Sequence, residues 1–253
     1  MRNVLAIADK ELRSYFSSPI GYVIIGLFAL LFGWFYNAYL EWFVEASQQM
    51  MGPGRAPNVN QQVIAGLLQN SAVIILFVMP MITMRTYSEE KRSGTIELLL
   101  TSPVTDAQII VGKFLGAMGL YAAILAVTFL SIAVLFYFGN PEWRPIVAGY
   151  LGLLLMGGCF IAVGLLISSF TKNQIVAGIG TFAVFLLLWV IDWPARSASP
   201  TVRSVLEYLS ITQHFSDFAR GIIDTKHVVY YLSVITFGLF LTAKSVDSER
   251  WRG

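Results

Sequence analysis

This sequence has little charge. Asp, Glu, Lys and Arg make up 13% of its 253 residues and hydrophobic residues 56%, where a soluble domain carries about 25% charged. Where the charge is missing says more than how much is missing. Six apolar runs, 20–40, 63–84, 114–138, 146–170, 175–193 and 228–243, hold no Asp, Glu, Lys, Arg or His in their interiors. A bilayer core about 30 Å thick needs roughly 20 apolar residues in a helix. The class is therefore an all-α, polytopic membrane protein with six expected transmembrane helices, the run at 228–243 being the shortest. Ion-coupled transporters, proton pumps and voltage sensors place ionisable groups at membrane depth. Their absence excludes an ion-gradient engine, and no convergent nucleophile and base suggests an intramembrane enzyme.

Cysteine and histidine are scarcer still. Cys159 stands alone inside the fourth run, so no intrachain disulfide and no thiolate metal site can form. His214 and His227 both fall in the last outer loop without a ligand partner at i+4, and read as ordinary surface or interface residues. A G-x-x-x-x-G-K-[ST] phosphate loop is also absent, which excludes ATP hydrolysis by that route.

The charges that are present have a pattern. Orientation follows Lys and Arg in short loops. With the N-terminus cytoplasmic, the inner segments hold Arg2, Lys10, Arg13, Arg85, Lys91, Arg92, Lys113, Lys172, Lys244, Arg250 and Arg252. The outer loops hold Arg55, Arg144, Arg196, Arg203, Arg220 and Lys226. Both termini are expected inside. Residues 1–18 read as a surface helix, not a cleaved leader. Val4, Leu5, Ala8, Leu12, Tyr15 and Phe16 share one face, Arg2, Asp9, Lys10 and Arg13 the other, and Pro19 ends it.

Trp34, Tyr36, Tyr39 and Trp42 close the first run, and Trp189 with Trp193 the fifth, as expected at a membrane interface. Small residues stripe the fourth run (Gly149, Gly152, Gly157, Gly158, Gly164), which predicts the bundle interior or a subunit interface. Segment 194–227 alternates Val202, Val205, Leu206, Leu209, Phe215 and Phe218 with charges. It suggests amphipathic helices on the outer surface, a re-entrant arrangement being the alternative.

The densest charge lies in 85–113, between two apolar runs. Thr86 and Glu89 have capping-box spacing, Gly94 weakens the helix they would start, and Ser102 before Pro103 ends it. Thr105 and Gln108 repeat the box and start a helix that, continued to Phe138, is 33 residues or about 50 Å long. Such a helix projects well beyond the bilayer, with a short charged helix braced against it.

SEEKRSGTIELLLTSPVTDAQIIVGKF, at 88–114, resembles the cytoplasmic loop of ABC-2 type transporter permeases. KELRSYFSSPIGY at 10–22 and YLSITQHFSDFARGIID at 208–224 are similar to the gliding-motility-type branch of that family. The resemblance implies a single type V exporter-like transmembrane domain with an N-terminal interfacial helix and a cytoplasmic coupling helix. It also implies a non-catalytic permease subunit, with ATP and Mg bound by two copies of a separate ATPase and no cofactor in this chain. Carried over residue by residue, it puts Glu89, Glu90, Arg92, Thr95, Glu97, Leu98, Leu99 and Leu100 near the ATPase contact, and Lys172 at a smaller second contact. A second copy or a related permease would complete the pathway in a bacterial cytoplasmic membrane, with room for an outer accessory subunit. Lipid surrounds it and nucleic acid is not a partner. The competing reading is a membrane anchor that recruits an ATPase without forming a pathway.

Overall fold

Pro19 sets the first break in the chain. The computed structural model describes residues 2–49, 58–96, 103–138 and 141–250, and among them it is helical apart from short turns and connections, with no strand. Helix α1 (Arg2–Ser17) stops one residue before Ser18, and α2 (Pro19–Gln49) begins on the proline. Proline disfavours helix in the residue before it and suits a first helical position, where its missing N–H is no loss. The Ser18 Oγ accepts a hydrogen bond from Ile20 N at 3.4 Å.

A π-helical turn, Asn60–Ile64, leads into α3 (Ala65–Thr83), and the short α4 (Ser88–Ser93) follows. Then come α5 (Asp106–Phe138), α6 (Trp143–Ser169), α7 (Gln174–Val190), a 3₁₀ turn at Pro194–Ser197, α8 (Pro200–Leu209), α9 (Ile211–Ala219) and α10 (Thr225–Arg250). Five helical stretches are long and apolar enough to cross a membrane: Pro19–Gln48, Asn60–Ser93, Asp106–Tyr137, Trp143–Ser169 and Thr225–Ser248.

The short apolar helix is α7, with 17 residues, and not the last one, which runs for 26. Asn173 caps α7 by accepting from Ile175 N at 2.9 Å, and Pro194 follows closely after its end. The run at 228–243 is bounded by Lys226, His227 and Lys244, which dilute hydropathy but do not break a helix.

Helix α6 is the centre of the bundle and packs against α3, α5, α7, α9 and α10. Its glycines admit neighbouring side chains: a Cβ at Gly152 would lie 2.5 Å from Phe218 Cβ, and one at Gly158 2.9 Å from Ile235 Cδ1. The stripe of small residues thus faces the interior, where it lets helices approach closely. At the N-terminal end of α6, Asn60 Nδ2 donates to Glu142 O at 2.8 Å and Glu142 N donates to Asn60 Oδ1 at 3.0 Å, which pins the start of α3 to the start of α6.

A second glycine strip lies under α1. Gly112, Gly116 and Gly119 of α5 meet Ile7, Glu11 and Leu12 in that order, so the two helices run parallel. The contacting face differs from the one read off apolar spacing, because Ile7 and Glu11 join it while Leu5 is 64% exposed. Closeness of fit to the strip, rather than apolar count alone, decides which face turns inward.

Candidate coupling site

The site grows from Lys113, about two turns into α5. Its neighbours in the sequence are apolar or glycine, and its side chain is 1% exposed. A buried ammonium needs partners, and the fold supplies four. Lys113 Nζ lies 2.9 Å from Glu11 Oε1 on α1 and 2.8 Å from Glu90 Oε1 on α4. It donates to Thr86 O at 3.0 Å and sits 5.1 Å from the centre of the Tyr87 ring. The exposed Lys10 reaches Glu90 from outside at 3.5 Å.

A second set of bonds ties α4 to the C-terminal end of α6. Tyr87 N and Ser88 N both donate to Ser168 Oγ at 3.1 Å, and Ser168 Oγ donates in turn to Met84 O at 3.1 Å. Lys91 Nζ donates to Ser169 O, a terminal carbonyl of α6, where a cation is favoured. Ser169 Oγ continues the network to Ser245 Oγ on α10 at 2.8 Å. The Thr86–Glu89 capping box expected from spacing is not made. The orphan amides at the start of α4 go to Ser168, and Glu89 pairs instead with Arg85 at 2.9 Å. Gly94, at φ 74°, does more than weaken α4: it ends the helix in the left-handed region that glycine enters freely.

Against this frame the residues named from the sequence divide. Glu89, Arg92 and Thr95 are exposed, and Lys172 is exposed on the turn from α6 to α7, three residues past the Ser169 carbonyl that Lys91 holds. Glu90 is turned inward on Lys113. Glu97, Leu98, Leu99 and Leu100 lie outside the described residues. The sequence alone assigns no contact role to Lys113, Glu11, Lys91, Ser168 or Ser169. One signal could have found Lys113, the lone cation of a 33-residue apolar helix whose other charge is Asp106.

Between α1 and α4 is a cleft of about 230 Å³ lined by Lys10, Glu11, Tyr15, Arg85 and Glu89. Tyr15 donates from its hydroxyl to Ile82 O at 2.9 Å, and burial pushes its phenol well above the usual range, so it serves as a fixed neutral donor. Among the described residues no group of three or more His, Cys, Asp and Glu could hold a metal ion. The chemistry of the site is mechanical: one loop, held by ion pairs and hydrogen bonds to α1, α5 and α6.

A family model described as ABC-2 family transporter protein matches residues 44–213. The chain belongs to the ABC-2 transporter family. It is 28% identical over 206 residues to a protein of Escherichia coli (strain K12) named probable multidrug ABC transporter permease YbhR, covering 73% of this chain and 54% of that protein. It is also 28% identical over 199 residues to the probable ABC transporter permease protein NosY of Pseudomonas aeruginosa, covering 74% of this chain and 68% of the relative. The chain thus spans about half the length of the E. coli relative. Family and helices together make it a multi-pass membrane protein of the ABC-2 class.

Proposed function

We propose that the chain is the permease subunit of an ABC exporter in a bacterial cytoplasmic membrane, driven through α4 by a separate ATPase. Its termini and α4 face the cytoplasm, as the distribution of Lys and Arg favours. The observation that carries the reading is that α4 is bonded at once to α1 and α5 through Lys113 and to α6 through Ser168 and Lys91. A partner pressing on Glu89, Arg92, Thr95 and the following Glu97 to Leu100 would move these helices together. Lys172, on the turn that leaves α6, offers a second point of contact. ATP and Mg belong to the ATPase, two copies of which serve a pair of permeases, either two of this chain or one with a related subunit. This chain is then non-catalytic.

Reconstitution with the ATPase in liposomes tests the reading. Wild-type chain is expected to raise ATP turnover, and Leu99→Asp to abolish that stimulation while the chain still folds. Stimulation that survives Leu99→Asp combined with Arg92→Glu and Lys172→Glu sinks the coupling assignment. An ATPase that binds the wild-type chain without any change in turnover makes the chain an anchor.

A further inference from the structure

The opposite end of the bundle holds a buried titratable pair that the coupling site does not use. Phe218 of α9 packs at Gly152 of α6, sixteen residues and so about 24 Å of helix from Ser168. Beside it are His214 on α9 and His227 on α10. By sequence both read as ordinary surface or interface residues, but each is only 5% exposed. Their Nδ1 atoms are 2.6 Å apart. His214 Nε2 is 2.9 Å from Tyr208 O, and His227 Nε2 is 2.8 Å from Asp217 Oδ2.

These contacts count protons. A carbonyl oxygen only accepts, so His214 Nε2 must carry hydrogen; an ionised carboxylate only accepts, so His227 Nε2 must carry one too. Between two Nδ1 atoms at 2.6 Å there is room for a single proton, donated by one ring and accepted by the other. Three protons on four nitrogens make one neutral ring and one imidazolium. Asp217 places the positive charge on His227 and leaves His214 Nδ1 as the bare acceptor.

We infer that α9 is latched to α10 by this three-proton histidine pair, and that uptake of a fourth proton releases it. A fourth proton puts N–H against N–H at the Nδ1 contact and adds a second buried charge. The groups that face the pair reinforce the count. Tyr230 stacks on His214 at 3.8 Å between ring centres and donates to Leu209 O at 2.9 Å, while Tyr231 donates to Ile211 O at 2.9 Å. Cys159 of α6 donates to Tyr231 O at 3.2 Å. Lys226 repels a proton on His214 and is itself paired with Asp224 at 3.2 Å, so among the described residues Asp217 is the carboxylate in direct contact with the pair. Burial holds His214 below the ordinary imidazole value of 6.5.

The sign follows. Released, both rings take their protons at the ordinary value, so the released pair holds two protons well above pH 6.5 and four well below it, against three in the latch; the latch is therefore tightest near pH 6.5 and loosens as pH falls below or rises above it. Release frees Phe215 and Phe218 from α6 at Gly152. In the orientation proposed above, this end faces away from the cytoplasm and reads the pH there; the proton count is independent of that orientation and of the ATPase.

The chain has two histidines, so ¹⁵N-histidine labelling reports four ring nitrogens. Solid-state NMR of the full chain in lipid bilayers near pH 7.5 is expected to show three protonated nitrogens and one bare one. Two bare nitrogens, or none, overturn the inference. Hydrogen exchange over 211–219, corrected for intrinsic rates, is expected to show opening that rises about tenfold per pH unit below pH 6.5. Equal protection at about pH 6.5 and pH 5 overturns it. His214→Gln should remove the loosening below about pH 6.5 whatever its baseline, and acid sensitivity equal to wild type in that variant counts against the latch. Should His214→Gln fail to fold, the nitrogen count in the wild-type chain decides alone.

Discussion

Lys113 Nζ meets Glu90 Oε1 at 2.8 Å inside the protein, and Glu11 Oε1 comes to the same nitrogen at 2.9 Å. One buried ammonium therefore holds α4 and α1 to α5. Its position among glycines is part of the same device. Gly112 and Gly116 bracket Lys113, and a Cβ at Gly116 would lie 2.5 Å from Glu11 Cβ. Without side chains there, α1 comes close enough for its carboxylate to reach the amine. The glycine strip and the ion cluster stabilise one arrangement of three helices.

Replacing the cation tests the cluster. Lys113→Met leaves Glu11 and Glu90 facing each other with no buried cation, a loss of about 3–5 kcal/mol when one partner of a buried pair is removed. Thermal unfolding of the lipid-reconstituted chain should shift down accordingly. Adding Glu11→Gln and Glu90→Gln to Lys113→Met should recover most of the loss, since the unpaired charges are then gone. A single variant as stable as wild type means the cluster contributes little.

The glycine strip makes a separate prediction. Gly116→Ala puts a methyl group 2.5 Å from Glu11 Cβ and 3.1 Å from Ala8 O, a backbone atom that cannot swing aside, so α1 must back away. A cost of about 1–3 kcal/mol is expected for such overpacking, with faster proteolysis within α1. Gly33→Ala is the control, because nothing lies within 4 Å of the added atom, and there stability should hold.

What the sequence made legible was local. Thr105 and Gln108 do form the capping box their spacing implies, with both reciprocal bonds at 3.4 Å. Thr86 and Glu89 have the same spacing and do not, because the Glu89 amide goes to Arg85 O and the Thr86 amide to Thr83 O, each at 3.2 Å, while the Glu89 carboxylate pairs with Arg85. Charge-free runs announced helices of membrane length, since composition alone sets that property. The relative lengths of α7 and α10 depended instead on Asn173 and Pro194, which stop a helix, and on Lys226 and Lys244, which do not. The carboxylate partner of Lys113 on α1 is 102 residues distant, and the His214–His227 contact joins two helices across a loop. No periodicity in a single chain encodes which far residue completes a buried charge.

Ser168 gives a prediction that reads out at single amides. Ser168→Ala removes the acceptor for Tyr87 N and Ser88 N, and leaving buried donors unpaired costs about 1–3 kcal/mol. Hydrogen exchange at these two positions should quicken, while exchange over α9, at the other end of α6, stays as in wild type. Quickening spread evenly over the bundle would mean that Ser168 supports the whole fold rather than the α4 junction.

The last prediction separates residues that face a partner from those that hold the loop. Arg92 and Lys172 are exposed, and surface substitutions of that kind change stability by no more than about 0.5 kcal/mol. Under the proposed function, Arg92→Glu and Lys172→Glu should leave thermal unfolding unchanged and weaken ATPase binding by about tenfold each, the equivalent of 1.4 kcal/mol. The weakening should shrink as salt is raised, because exposed charges are screened. Glu90→Gln should behave in the opposite way. Its carboxylate is spent on Lys113, so the variant loses stability, while ATPase binding measured on the folded fraction changes little. If Glu90→Gln weakens binding with stability intact, Glu90 leaves Lys113 to meet the partner, and the cluster is a switch rather than a brace.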